Sequence, residues 1–129
     1  MLSNGQQIQG TGSLILDRMA GGHYAVKGTI NQLPVHFLVD TGATHVAVPE
    51  SFAKRAGITE CRPSLSSTAN GVVKGCLAQV DELTIGQFTI KNITVGYNKG
   101  MPNDTFLLGM SVISLFKMEH SGDVMKLTR

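Results

Sequence analysis

The chain lacks most of the features that mark a partner or compartment. In its 129 residues, Lys and Arg nowhere cluster with interleaved aromatics, and the formal net charge is only +2. That speaks against nucleic acid as a partner. No apolar run approaches the roughly 18 residues of a membrane span, so no membrane segment is expected. The polar start, Met1 to Gln9, lacks the apolar stretch of a signal peptide. The expectation is a soluble domain: either cytosolic, or periplasmic or membrane-tethered in a longer parent whose signal or anchor lies outside this stretch. There are only two cysteines, Cys61 and Cys76, too few for a disulfide framework. No His stands near them at zinc spacing, so neither a metal site nor a cofactor is expected. The simplest reading is two free thiols; a single bridge in an oxidising compartment is the alternative. His23, His36, His45 and His120 are too scattered to converge on a metal.

What is present describes a folded domain. Hydrophobic residues make up 42% and charged residues 16%. This length forms one domain with a modest core. Fifteen glycines and few helix-forming runs favour a turn-rich β protein. Residues 1–12, rich in Gly, Gln, Ser and Asn, read as a flexible arm, leaving 13–129 as the domain. Gly12 to Met19 reads as a strand. Tyr24, Val26, Gly28 and Ile30 alternate onto one face, as do Val35, Phe37 and Val39 after a short turn at Asn31-Gln32. Val46 to Val48 is a short strand. A helix is expected from Pro49-Glu50 to about Ala56, closed by Gly57. Cys61 to Ser67 reads as irregular or extended. Asn70-Gly71 is the strongest hairpin signal. Val73 to Ile85 and Phe88 to Tyr97 are long strands joined at Gly86-Gln87. A short helix over Met110 to Leu115 and a terminal hairpin across Ser121-Gly122-Asp123 complete the chain. The fold class is therefore mainly β: a closed or partly closed barrel with one or two short helices.

One stretch carries chemistry. Phe37-Leu38-Val39-Asp40-Thr41-Gly42-Ala43-Thr44 delivers a carboxylate at the end of an apolar run and places it on a tight Thr-Gly turn. Asp is seldom buried unless it is paired or hydrogen-bonded. The expectation is an acid held in a dry place. A second apolar run, Phe106-Leu107-Leu108, ends downstream in Gly109. This order of apolar-Asp-Thr-Gly-Ala loop and apolar-apolar-Gly element resembles the aspartic proteases, specifically the short retropepsin type, from about His23 to Leu127. The segment Thr68-Ala69-Asn70-Gly71 and the phrase Leu107-Leu108-Gly109-Met110-Ser111 resemble a bacterial branch of that family, many of whose members are membrane-anchored.

The resemblance implies a retropepsin-type barrel with one lobe per chain. Hydrolysis of a peptide bond by carboxylates needs one ionised acid to activate water and one protonated acid to polarise the carbonyl. The chain has a single Asp-Thr-Gly, so the family's arrangement implies a homodimer in which Asp40 meets the Asp40 of a second copy. By the same resemblance, Thr41, Gly42, Ala43, Leu108 and Gly109 support the loop. Thr44 and His45 would line the cleft, and Ala69, Asn70 and Gly71 would form the tip of a flap over a peptide or protein substrate. Viral members often carry an acid where this chain has Thr44.

Other readings of the same residues are weaker. An Asp-Thr-Gly tripeptide alone is commonly just an Asx turn. Actin-type nucleotide sites use a related loop but need two large lobes. A phosphoryl-accepting Asp needs a Lys or further acids close by, and none flanks Asp40. From a different class of function, a retropepsin-like dimerisation or peptide-binding module with little turnover remains the alternative to an endopeptidase.

Overall fold

Alternation with a period of two dominates the chain, and the computed structural model turns it into a barrel. The structure describes residues 7–68 and 71–129. Strands β1 (Gln7–Gln9), β2 (Ser13–Arg18), β3 (Tyr24–Ile30), β4 (Leu33–Val39) and β5 (Val46–Pro49) precede helix α1 (Glu50–Arg55). Then come β6 (Arg62–Thr68), β7 (Gly71–Ile85), β8 (Phe88–Asn98), β9 (Leu107–Leu108), helix α2 (Met110–Ile113), β10 (Lys117–Ser121) and β11 (Val124–Thr128). Pairing runs β3-β4-β9-β5-β8-β7, and β7 pairs back onto β3, closing a six-stranded barrel. No helix among the described residues is long and apolar enough to cross a membrane.

Local sequence explains most elements. In β4, Val35 and Phe37 point inward while Pro34 and His36 point out. The turn before it places Asn31 and Gln32 at φ 48° and 72°. Both are left-handed, as a two-residue hairpin of type I′ requires. Asn31 tolerates this and uses its side chain as well: Oδ1 accepts from the N–H groups of Asp81 and Glu82, each at 3.1 Å. Helix α1 ends where Gly57, at φ 73°, supplies the left-handed residue after the cap at Ala56. The core is wholly apolar among the described residues, with Phe37, Phe52, Phe88, Leu83 and Ile90 fully buried. Phe52 meets Phe106, and Phe88 meets Phe116, edge to face. Each fully buried side chain of this size contributes about 1.5–3 kcal/mol. The barrel seam closes at Gly28, where any Cβ would stand 2.0 Å from the Thr84 carbonyl oxygen. Beside it the hydroxyls of Thr29 and Thr84 bond at 2.7 Å.

Two sequence expectations change, and one open reading is resolved. The arm expected over 1–12 is docked from Gln7 onward: β1 pairs antiparallel with β8, and Gly12 and Arg129 exchange backbone hydrogen bonds. The stretch after Cys61 is a regular strand, β6, because β7 offers it a ladder from Arg62↔Leu77 to Thr68↔Gly71. That register makes Gly71, at φ 111°, the first paired residue of β7. Ala69 and Asn70, expected with Gly71 at the hairpin tip, lie outside the described residues. Finally, Cys61 and Cys76 are not free thiols but a disulfide, their Cα atoms 4.7 Å apart. The hairpin folds the chain back and brings the two cysteines together diagonally across its ladder.

The same registers define a projection. Strand β8 joins β7 only from Cys76↔Tyr97 onward. From Ser64↔Gly75 to Thr68↔Gly71, strands β6 and β7 pair with each other alone. They form a two-stranded ribbon that leaves the sheet at Cys76.

Candidate active site

Two short backbone crossings build the site around Asp40. The loop at 40–45 connects β4 to β5. Strand β9, far downstream, inserts between those two strands, parallel to β4 (Leu38↔Leu107, Val39↔Leu108) and antiparallel to β5 (Ala47↔Leu107). The ladder continues into the loop, because the Asp40 N–H donates to the Leu108 carbonyl at 3.0 Å. The loop turns tightly, with Ala43 N–H donating to the Asp40 carbonyl at 3.1 Å. The Asp40 carboxylate accepts the Gly42 N–H at 2.9 Å on Oδ1. A Cβ at residue 42 would press to 3.2 Å on that oxygen, so Gly42 permits the approach.

The start of α2 clamps the other side of the loop. Met110 N–H donates to the Ala43 carbonyl and Ser111 N–H to the Thr44 carbonyl, both at 2.8 Å. Gly109 lies against this crossing; a Cβ there would stand 2.2 Å from His45 O and 2.8 Å from Ala43 O. The loop is thus gripped by backbone along most of its length, which fixes the carboxylate without relying on its own side-chain packing. The structure brings together Asp40, Thr41, Gly42, Ala43, Leu108 and Gly109, and places Thr44 and His45 on the same loop. Met110 and Ser111 were missed as part of the clamp. Their part is played by backbone N–H groups, which leave little signal in side-chain identity. His45 Nδ1 and Ser111 Oγ are both buried at this seam without a hydrogen-bond partner among the described residues.

The loop is less dry than expected. Asp40 is half-buried, and Thr41, Gly42 and Thr44 are exposed. The physical reason is position: the apolar run ends at Val39, and Asp40 begins the turn that leads away from the core. Asp40 lines neither of two hollows found among the described residues. One surrounds the Arg18–Asp123 ion pair, and the other lies between Glu50, Gly75 and Tyr97. Of the remaining acids, Glu50 pairs with Lys54 one turn along α1, and Glu60, Glu82, Glu119 and Asp123 each pair with a Lys or Arg. No cluster of three or more His, Cys, Asp or Glu among the described residues is arranged to hold a metal ion.

A closed six-stranded barrel whose Asp-Thr-Gly loop is clamped by an inserted Leu-Leu-Gly strand is the retropepsin-like form of the acid-protease fold. Residues 26–112 match the family model described as aspartyl protease, and the chain belongs to that family. Over 98% of its length it superposes on 96% of a retropepsin-like aspartic protease from Rickettsia conorii, with a TM-score of 0.73 and 26% identity. Over 74% of its length it superposes on 88% of the inhibitor-bound EIAV protease, with a TM-score of 0.60; at 18% identity that likeness shows the fold alone. Two uncharacterised bacterial proteins are related in sequence. One, encoded in the cobV 5′ region of Sinorhizobium sp, is 30% identical over 90% of this chain and 49% of its own length. The other, RP867 of Rickettsia prowazekii (strain Madrid E), is 32% identical over 82% of this chain and 46% of its own length. The chain therefore spans about half the length of these curated relatives.

Proposed function

We propose that this chain is one half of an aspartic endopeptidase, active as a homodimer in which the two Asp40 carboxylates face each other across a two-fold axis. The observation that carries this reading is the state of the loop. Its backbone is held rigidly by Leu108, Met110 and Ser111, while Thr41, Gly42 and Thr44 remain exposed. A fixed acid at an open surface suits a site that a second copy completes. One Asp40 would be ionised and draw a proton from water. The other would be protonated and donate to the scissile carbonyl oxygen. The water oxygen then bonds to the carbonyl carbon, and a proton passes from the dyad to the departing amide nitrogen as the C–N bond breaks. Two acids this close share one proton, since both cannot ionise cheaply together.

The surrounding residues acquire roles on this reading. The Gly42 N–H, already on Asp40 Oδ1, would orient the carboxylate. Thr41 would reach the partner loop and lock the pair. Thr44 and His45 would line the cleft, and the β6–β7 ribbon, with Ala69, Asn70 and Gly71 at its end, would serve as the flap. A substrate peptide would lie extended between ribbon and loop, held by main-chain hydrogen bonds. The test is digestion of a denatured protein mixture at several mildly acidic pH values, read by mass spectrometry, with Asp40→Asn as control. New termini with the wild type and none with the variant are expected. Equal cleavage by both would remove Asp40 from the chemistry.

A further inference from the structure

The disulfide stands at a mechanically special place. Cys76 is the residue at which β7 stops pairing with β8 and enters the ribbon, and Cys61 lies immediately before β6. Strand β6 is the last strand of the sheet and pairs with β7 alone. The ribbon carries exposed apolar side chains. Leu65 and Val72, diagonal neighbours on one of its faces, are 70% and 67% exposed. A lone two-stranded hairpin is marginally stable in water, so its order depends on its root.

At that root three devices converge. The Tyr97 hydroxyl donates to the Glu60 carbonyl at 2.8 Å, and the Gln79 N–H donates to Glu60 Oε1 at 2.7 Å. Gly75 lets the ribbon cross β8 closely, since a Cβ there would stand 2.9 Å from Tyr97 O. The third device is the covalent bond. Thiol–disulfide exchange in solution can open it. Cys61 is exposed and open to attack by a thiolate, and neither cysteine belongs to the buried apolar core.

We infer that Cys61–Cys76 is a redox switch on the ribbon: oxidised, it holds the ribbon's root and presets its position; reduced, it frees β6 to swing and slackens the ribbon. The consequence for catalysis rests on the proposed function, in which the ribbon is the flap. The reaction is thiol–disulfide exchange with a small dithiol. One thiolate of the dithiol attacks the exposed Cys61 sulfur and Cys76 leaves as thiolate. The second thiolate of the dithiol then displaces Cys61. The dithiol is oxidised to its disulfide, and the protein gains two electrons and two protons as two thiols. The device makes the chain most active where disulfides persist.

Dithiothreitol is the probe. Reduced and oxidised wild type are compared with the Cys61→Ser/Cys76→Ser double variant, thiol state being verified by alkylation and mass spectrometry. Two readouts are taken on the same samples. Amide hydrogen exchange should accelerate on reduction within 62–68 and 71–76, while the core strand Phe88–Asn98 stays protected. Peptidase kcat/KM should fall roughly tenfold, chiefly through KM, because substrate must then order the ribbon itself. The double variant should behave as reduced wild type with or without dithiothreitol. Unchanged exchange in the ribbon with both thiols free overturns the inference. So does loss of protection throughout β8, which would make the bridge a global staple. If neither redox state cleaves peptides yet ribbon exchange responds, the peptidase reading fails and the redox device stands.

Discussion

Gly109 touches the main chain of His45 so closely that no side chain fits between them: a Cβ would lie 2.2 Å from the His45 carbonyl oxygen. This contact couples the end of β9 to the far side of the loop that carries Asp40. Gly109→Ala must push the two backbones apart, breaking the bonds from Met110 and Ser111 to Ala43 and Thr44. The expected cost is about 3 kcal/mol or more, at the upper end for overpacking. Urea titration measures it, and the variant should lose activity even at temperatures where it remains folded. Wild-type stability in Gly109→Ala would show that the loop is not clamped as described.

Gly28→Ala tests the barrel rather than the site. The added methyl meets the Thr84 carbonyl at the β3–β7 seam. Destabilisation of about 1–3 kcal/mol is expected, with kcat of the folded fraction little changed. A large kcat defect at full folding would mean that the seam communicates with Asp40.

Asp40→Asn is nearly isosteric and keeps an oxygen that can accept the Gly42 N–H, so thermal unfolding should be close to wild type. Peptidase turnover should fall at least about a hundredfold, the range for losing a general acid–base pair. In the proposed dimer, removing like-charge repulsion across the axis should leave association equally tight or tighter near neutral pH, which sedimentation can measure.

Dilution separates a half-site from a complete one. Activity per mole of chain should decline as concentration falls below the dimer dissociation constant. Constant specific activity at concentrations where sedimentation shows monomer alone would mean that one chain suffices.

Gly71 sits at φ 111°, a conformation that a β-branched residue resists. Gly71→Val should raise KM with little effect on stability, because the strain falls at the end of the ribbon, away from the core. Unaltered kinetics would detach the ribbon from substrate binding.

For the proposed Asp40 pair, the pH profile of kcat/KM should be bell-shaped and strongest on the acidic side of neutrality. On the acid limb the dyad loses its ionised member and with it the base for water. On the alkaline limb the shared proton leaves, the carbonyl is no longer polarised, and repulsion between two carboxylates loosens the dimer. Dimer content followed at each pH separates the two alkaline effects. A plateau through alkaline pH, or inhibition by chelators, would indicate other chemistry.

The sequence by itself determined what depends on near neighbours. The alternation of Val35 and Phe37, the left-handed pair Asn31-Gln32, Gly57 after α1 and the Asp40-Thr41-Gly42 turn are local, because side-chain period and allowed φ are properties of a few adjacent residues. The support from Leu108 and Gly109 was legible only by resemblance, since a two-residue strand has no periodicity to read. Tertiary structure alone decided the rest. It inserted β9 between β4 and β5, laid Gln7–Gln9 on β8 and set the ribbon register at Thr68↔Gly71. It also joined Cys61 to Cys76 and left the Asp40 loop exposed rather than dry. These outcomes rest on hydrogen-bond ladders and contacts between segments distant in the chain. Their pairing is chosen by closure of the barrel as a whole, not by the preferences of the residues that meet.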